Sequence, residues 1–438
     1  MLGLKRLIID TGITQNRCLV FENGKIIDIY VDDIIQKNLS GNIYKARVEN
    51  INNNLGVAFL NIGEERNAFI ELKEIPNVQK GDELIIQIKR DSEGNKGPKA
   101  TSKVIFPGKN LKLIVGLNEI KNDGLDKNLY ESVYSLLKEI VKKDLGIIIS
   151  SMPEDFNMLI EEYNDLTKKW NFIKERANYI KAPFLLLNER DFIKEVILKN
   201  INTIEEVIVT KSSVRDIVAK FIDQSKIKID LESATLIDKY IFDVMKRKHY
   251  FYDANIVIDE VEAFTIIDVN SGDINGKNIQ TFLDINKLAA DKIFQLLKLR
   301  NSSGIIFIDF IDIKKNQREE LLQYIKEIAS KDENISKIYG WTRLGVLELS
   351  RAKKGRKLKD LIFDDYYKEL LNPSYILKII ENKCLVQKER FNRKSLEAKV
   401  SCKTFELAER IKFKEKIKEN MGLELNFKVN NNILNYEV

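Results

Sequence analysis

The sequence predicts a multidomain chain that combines α/β and α+β segments, and three observations carry that expectation. At 438 residues the chain is too long for one core, and length alone suggests roughly three domains. Residues 43–90 read as four short alternating strands with turns between them, the pattern of a small barrel. Residues 255–313 read as strand, helix, strand, with near-continuous apolar strands that imply a parallel sheet covered on both faces.

The elements follow in order. LKRLIIDTG, NRCLVFENG and KIIDIYVDD, within residues 1–37, are short strands separated by Gly and Asn turns. IYKARVENI, LGVAFLNI, RNAFIEL and DELIIQIKR supply the strands of an OB-type barrel. Between 106 and 183 a helix is predicted over 127–144, where Leu129, Val133, Leu136, Leu137 and Ile140 share a face. The strand GIII follows, then a helix around 155–180. Pro183 marks a boundary, and residues 184–247 alternate again: FLLL, a helix, EEVIVT, a helix, and an amphipathic helix over 231–246. NIVIDE and AFTIIDVNSG form a hairpin. An amphipathic helix from 278 carries Ile279, Phe282, Leu283, Ile293, Leu296 and Leu297 on one side. SGIIFIDFIDI is a further apolar strand, followed by a helix through REELLQYIKEI. The chain then turns basic and ends in helices and a hairpin-like LELNFKVNNNILNYEV.

Composition narrows the chemistry. A chain that is 44% apolar and 32% charged, with few Pro and Gly, is globular. No apolar run approaches the roughly 18 residues of a membrane span, and the N-terminus lacks the h-region of a signal peptide. Cys18, Cys384 and Cys402 stand far apart, which disfavours a disulfide framework or a four-cysteine zinc site and fits the cytoplasm. The single histidine, His249, removes any two-histidine acid–base scheme and receives no role. Carboxylates, lysines or hydroxyls must do the work, with a hard, oxygen-bound metal. A net charge of +6 permits a nucleic-acid partner without demanding one.

Asp268 ends FTIID and Asp309 ends GIIFID. In a parallel sheet those strand ends share one edge, where open α/β sheets bind ligands. Asn270, two residues on, faces the same side if the strand continues. Two carboxylates and an amide oxygen suit Mg²⁺ that keeps several waters. The competing reading makes these aspartates caps of a turn, since Ser271, Gly272 and Asp273 have turn chemistry. Asp312 would point the other way and serve as a turn or helix-cap residue.

Candidate nucleic-acid contacts fall in two places. Phe59 and Phe69 lie among Arg47, Arg66, Lys89 and Lys96, and aromatic faces beside cations suit unstacked bases. Alternation alone also allows either phenylalanine to fill the barrel core. Arg351, Lys353, Lys354, Arg356, Lys357 and Lys359 form a cationic run, which is either a solvated face or a phosphate track.

The segments IIDVNSG (266–272), LAADKI (288–293), IIFIDFIDI (305–313) and GWTRLGVLELSR (340–351) together resemble the catalytic segment of the ribonuclease E/G family. The resemblance runs nearly end to end. GNIYKARV (41–48), AFLNIGEERNAFIELKEI (58–75) and GNKG (94–97) resemble its S1-type barrel, and APFLLLNE (182–189) the start of its second RNase H-like segment. It implies an RNase H-like domain (1–37 and 184–247) interrupted by an S1-type OB barrel (38–105) and a 5′-sensor-like domain (106–183). A DNase I-like catalytic domain (248–352) follows, then a basic linker and small C-terminal domain (353–438). By the same match Asp268 and Asp309 would hold magnesium, assisted by Asn270. Phe59 and Phe69 would face single-stranded RNA and Arg343 would contact it near the metal, with Lys96 of the barrel and Arg351 of the cationic run as further expected contacts.

Three departures qualify the match. The family's Arg-Thr pair for a 5′-monophosphate is replaced by Ser150 and Ser151, a second family arginine aligns with Ile335, and the Gly-rich sensor loop is shortened. The family's CPxC zinc link is replaced by KKGRKLKD, so zinc is not expected and any homodimer must form without zinc bridging. HYFYDA stands where the family has an LPSGG-like stretch. The expected function is magnesium-dependent endonucleolytic cleavage of single-stranded RNA to 5′-phosphate and 3′-hydroxyl ends, in RNA processing or decay. The alternative is a catalytically inactive RNA-binding protein of the same fold.

Overall fold

The structure is a computed structural model that describes residues 3–35, 39–92, 96–153, 155–188, 191–252, 254–261, 264–272, 282–332, 334–353, 355–430 and 435–438. The predicted positions Asp273, Ile279 and Lys354 and the first two residues of the GNKG turn lie outside them. The chain forms two compact units, residues 38–191 and residues 1–37 with 192–438.

In the unit of residues 38–191, the strands Ile43–Asn52, Val57–Asn61, Ala68–Glu71, Lys99–Thr101 and Glu83–Arg90 pair in that order and close back onto the first. The result is a five-strand barrel. Alternation sends Tyr44, Ala46, Val48, Ala58, Leu60, Ala68, Ile70, Ile86 and Ile88 inward to form its core. The FLLL segment, expected with the second α/β stretch, instead adds an edge strand, Phe184–Leu187, antiparallel to Ile43–Asn52. A separate four-stranded sheet carries the helices Lys127–Leu137 and Phe156–Tyr179, each started by an aspartate (Asp126, Asp155) that accepts a backbone N–H. Val133, Leu137, Leu159 and Tyr163 pack on Leu111, Leu113, Ile147 and Ile149. The first helix stops well short of the predicted 144. β-branched Ile140 and Val141 are poor helix formers, and Asp144 takes a left-handed backbone.

The other unit holds two larger sheets. The first has the order Ile227–Ile229, Ile204–Val209, Lys5–Asp10, Gln15–Glu22, Lys25–Asp33. Its first two pairings are parallel and the other two antiparallel. The second has the order Lys248–Phe251, Ala254–Glu260, Phe264–Ser271, Gly304–Asp309, Leu347–Arg351, Ile335–Trp341. Only the Phe264–Ser271 and Gly304–Asp309 pair is parallel. One face buries Ile256, Ile258, Ile267, Ile306, Ile308, Leu347 and Leu349 beneath the helices Phe282–Leu299 and Lys315–Ala329. Each such side chain contributes roughly 1.5–3 kcal/mol. The opposite face exposes Phe264, Ile266 and Ile305. The expectation of a parallel sheet covered on both faces is therefore corrected: the sheet is mixed, and its apolar runs place hydrophobic residues on an open face as well as on the covered one.

After Arg351 the chain is not a loosely attached tail. The helix Pro373–Phe391, capped by Asn372 and ended by left-handed Asn392, places Tyr375, Ile376, Leu377, Ile380 and Cys384 in the core of this unit. The predicted terminal hairpin is also corrected. The strands Glu424–Val429 and Tyr436–Glu437 both pair with Ser395–Val400, the first in parallel, and not with each other. Residues 431–434 of that prediction lie outside the described residues.

A buried ionic cluster joins this helix to the first sheet. The Lys378 ammonium donates to Asp10 Oδ1 (3.0 Å), the Thr11 carbonyl (2.8 Å) and Asn382 Oδ1 (2.9 Å). Arg17 and Asn382 donate to Asp10 Oδ2, and Glu381 accepts from the Ile13 amide and from Lys211. Burial opposes ionisation of Asp10, but the adjacent Lys378 and Arg17 charges hold its carboxyl well below the usual carboxylate range. Gly12 is required here, because a Cβ would sit 2.4 Å from the Glu381 carboxylate and 2.6 Å from the Lys378 side chain.

Candidate active site

The strand Phe264–Ser271 alternates strictly: Thr265, Ile267 and Val269 are buried, while Ile266, Asp268 and Asn270 are exposed. The strand continues past Asp268, so Asn270 shares its face as expected, and its amide donates to Asp268 Oδ2 at 2.7 Å. In the parallel neighbour Asp309 is the residue paired with Asp268. The two carboxylates thus stand side by side at the end of the one parallel pair in the sheet. Both are strand residues, not the turn caps of the competing reading.

Asp312 differs from its expectation. It lies in the loop before the helix Lys315–Ala329, whose N-cap is Lys314, and its exposed carboxylate accepts from Arg318 at 3.0 Å. Partial burial and the charges of Asp268 and Asp312 push the Asp309 carboxyl above its ordinary value. Like charges gathered this way are what a hard cation relieves. The donors are oxygens, two carboxylates with an amide beside them. Among the described residues no group of three or more Asp, Glu, His or Cys is placed to enclose a metal. Such hard oxygen donors suit an oxygen-bound cation.

Arg343 is exposed in the turn between Ile335–Trp341 and Leu347–Arg351. That turn lies at the Asp309 end of the sheet, because Leu347 pairs with Ile308. Arg351 does not join it. It pairs with Gly304 at the opposite end, is 2% exposed, and donates to Asp332 at 2.8 Å and to the Ser302 carbonyl at 2.7 Å. Its expected RNA contact is corrected: the guanidinium is consumed by packing. Lys357 and Lys359 likewise turn toward buried Glu260, each at 3.9 Å. The cationic run thus begins as an internal brace.

On the barrel, Phe59 and Phe69 are direct cross-strand partners on the outer face, flanked by inward Ala58, Leu60, Ala68 and Ile70. Neither belongs to the barrel core. Lys99 pairs with Phe69 and extends the row Asn50, Phe59, Phe69, Lys99 across the outer surface. Sequence reading missed Lys99, whose place depends on the closure of the barrel. Lys96 is exposed and precedes Gly97, where any side chain would strike the Asn67 carbonyl. In the neighbouring sheet, Ser151 donates to Asn110 at 3.0 Å, and Ser150 Oγ lies 3.5 Å from the Asp123 carboxylate, which also engages Lys112. Ser150 thus has an acid beside it and Ser151 an amide.

His249 is buried, and its Nε2 lies 3.0 Å from Arg300 Nη2. Arg300 also donates to the Val244 and Lys246 carbonyls and approaches Glu260. The lone histidine is therefore a packing residue, as the sequence suggested. Burial and the Arg300 charge lower its pKa to about 4.

Residues 117–354 match the model of the Ribonuclease E/G family. The chain is 27% identical over 401 residues to the putative ribonuclease E of Buchnera aphidicola subsp. Baizongia pistaciae, covering 82% of this chain and 97% of that protein. It is 25% identical over 406 residues to ribonuclease G of Haemophilus influenzae, covering 82% of each. It is 28% identical over 397 residues to ribonuclease E of Escherichia coli, covering 80% of this chain and 37% of that protein. The chain spans about half, or less, of the longer ribonuclease E relatives.

Proposed function

The chain belongs to the ribonuclease E/G family, and on that premise we propose that it is an endoribonuclease that hydrolyses single-stranded RNA with the help of magnesium, leaving 5′-phosphate and 3′-hydroxyl ends. The observation that carries this reading is the side-by-side placement of Asp268 and Asp309 with Asn270 on an exposed sheet face. Bound there, magnesium supplies positive charge that activates water and neutralises charge developing at phosphorus. Asp268 and Asp309 would hold the ion, and the Asn270 amide fixes the Asp268 carboxylate in place. Arg343 offers a guanidinium at the same sheet end for a substrate phosphate. Phe59 and Phe69, with Lys96 and Lys99, offer stacking and charge for unpaired bases.

The same reading assigns work in RNA processing or decay, in the cytoplasm. No helix among the described residues is long and apolar enough to cross a membrane. Cys18 and Cys384 are buried and Cys402 is exposed, so a homodimer would form without a zinc bridge. Ser150 and Ser151, standing where the family has an Arg-Thr pair and with Asp123 beside Ser150, favour weak 5′-end sensing.

The test is cleavage of a labelled AU-rich single strand with Mg²⁺ or EDTA. Parent protein should cut only with the ion. Asp268→Asn and Asp309→Asn should each lose several kcal/mol of transition-state stabilisation, on the order of a thousandfold in rate, yet bind RNA as before. Undiminished cleavage by both variants sinks the assignment. Binding without cleavage by the parent protein would instead support an inactive RNA-binding member of the fold.

A further inference from the structure

The edge strand Lys248–Phe251 has its side-chain directions fixed by His249. That residue points into the core, where Arg300 holds it, so Lys248 and Tyr250 must point to the other face. That is the face of Asp268. Register places Lys248, Val257, Asp268 and Asp309 in one row across four strands, and Tyr250, Asn255 and Asn270 in the next row. At about 4.8 Å between strands, Tyr250 and Lys248 start about 10 Å from Asn270 and Asp268.

Tyr250 is 73% exposed, and the Lys248 ammonium lies 5.1 Å from its ring centroid. Tyr252, at the tip of the same hairpin, is 80% exposed on a left-handed backbone. Edge strands often carry a lysine to block pairing, and tyrosine favours strands, so either residue alone would be unremarkable. The surroundings separate them from ordinary surface. Between this pair and the acid pair the two rows contain only Asn255 and Val257, with no carboxylate to repel a phosphate. A second exposed tyrosine–lysine pair among the described residues, Tyr339 and Lys337, lies beyond Glu348 on the far edge. An exposed aromatic ring beside a cation is the combination that takes an unpaired base and its phosphate.

We propose that Tyr250 and Lys248 form a nucleotide subsite of the active site, with Tyr250 stacking on the base of a nucleotide flanking the cleaved bond and Lys248 contacting its phosphate. The proposal deepens the endoribonuclease reading and rests on it. Tyr250 is a positioning residue: it holds the strand over Asp268 and Asp309 and takes no part in the bond change. Because it stands on a strand paired into the sheet, it offers stacking to an unstacked base at one place and accepts any base there.

The test uses the full chain, Mg²⁺ and a labelled single-stranded oligoribonucleotide with one cleavage position. Tyr250→Ala should raise KM about tenfold with kcat within about twofold of the parent, and Tyr250→Trp should restore it. Lys248→Ala should raise KM less and flatten its salt dependence. Abasic nucleotides are then placed one at a time around the cleaved bond. At one position the abasic substrate should lose about tenfold with the parent and lose nothing further with Tyr250→Ala. A merely structural tyrosine would show no such non-additivity. An unchanged KM for Tyr250→Ala, or additive losses at every abasic position, overturns the subsite while leaving the nuclease assignment intact. Failure of the parent protein to cleave or bind RNA overturns both.

Discussion

Acidification offers a clean test of how His249 is held. In the unfolded chain its imidazole titrates near 6.5, whereas in the fold burial and Arg300 lower it to about 4. Between those values the unfolded state takes up a proton that the folded state refuses, so stability rises with pH across this window. The contribution is intact above about pH 6.5 and is lost as pH falls toward 4. Linkage puts the loss between pH 7 and pH 5 at about 2 kcal/mol, with a limit of about 3 kcal/mol below pH 4. With the side chain 7% exposed, solvent screening does little to reduce it. The assay is urea unfolding at both pH values, in a Trp170→Phe background that leaves Trp341 as the only indole. Trp341 donates to the Arg318 carbonyl beside the second sheet, so its fluorescence reports on the unit that contains His249. His249→Gln keeps an acceptor for Arg300 but cannot titrate. Its stability change between pH 7 and pH 5 should be smaller than the parent's by about 2 kcal/mol. Equal changes in the two proteins would refute the claim that this histidine is held neutral.

Other perturbations read different parts of the molecule. Lys378→Met removes one of two cations from each of the buried Asp10 and Glu381 carboxylates, which keep Arg17 and Lys211, and should cost about 1–3 kcal/mol, measured as a fall in the urea midpoint; an unchanged midpoint would mean that this ammonium contributes nothing net. Phe59→Ala and Phe69→Ala should weaken single-stranded RNA binding about five- to hundredfold, read by fluorescence anisotropy, and unchanged affinity would leave the barrel row without a role in binding. Substrates ending in 5′-monophosphate and 5′-hydroxyl should be cut at comparable rates, whereas a large preference for the monophosphate would show that cations join Ser150 and Ser151 in binding the phosphate.

Periodicity made some of the site legible. Asp268 and Asn270 could be placed on one face because strand alternation is local and the burial of Ile267 and Val269 enforces it. The pairing of Asp268 with Asp309 needed only the parallel order of two apolar strands. What depends on distant partners was not legible. Arg351 looked like the first cation of an RNA track, yet Asp332 and the Ser302 carbonyl draw it inward, and nothing in the local sequence announces them. FLLL had the composition of a core strand in either sheet, and only tertiary pairing assigned it to Ile43–Asn52. The open face was misjudged because exposed Phe264, Ile266 and Ile305 are apolar, so the strands read as doubly buried.

The bond between Lys378 and Asp10 spans 368 positions of the chain. During synthesis the strand Lys5–Asp10 leaves the ribosome long before Lys378, the second of its buried counter-ions, exists. At roughly 5–20 residues per second, the gap lasts on the order of 20–70 s. Through that interval a sheet closed around Asp10 would enclose a carboxylate lacking this ammonium. Arg17, seven residues on, already faces Asp10 from the next strand, so the early sheet holds one counter-ion and gains the second only when the helix Pro373–Phe391 arrives. The unit with the candidate active site is completed last-to-first, and nascent chains stopped before residue 378 should remain protease-sensitive around residues 5–33.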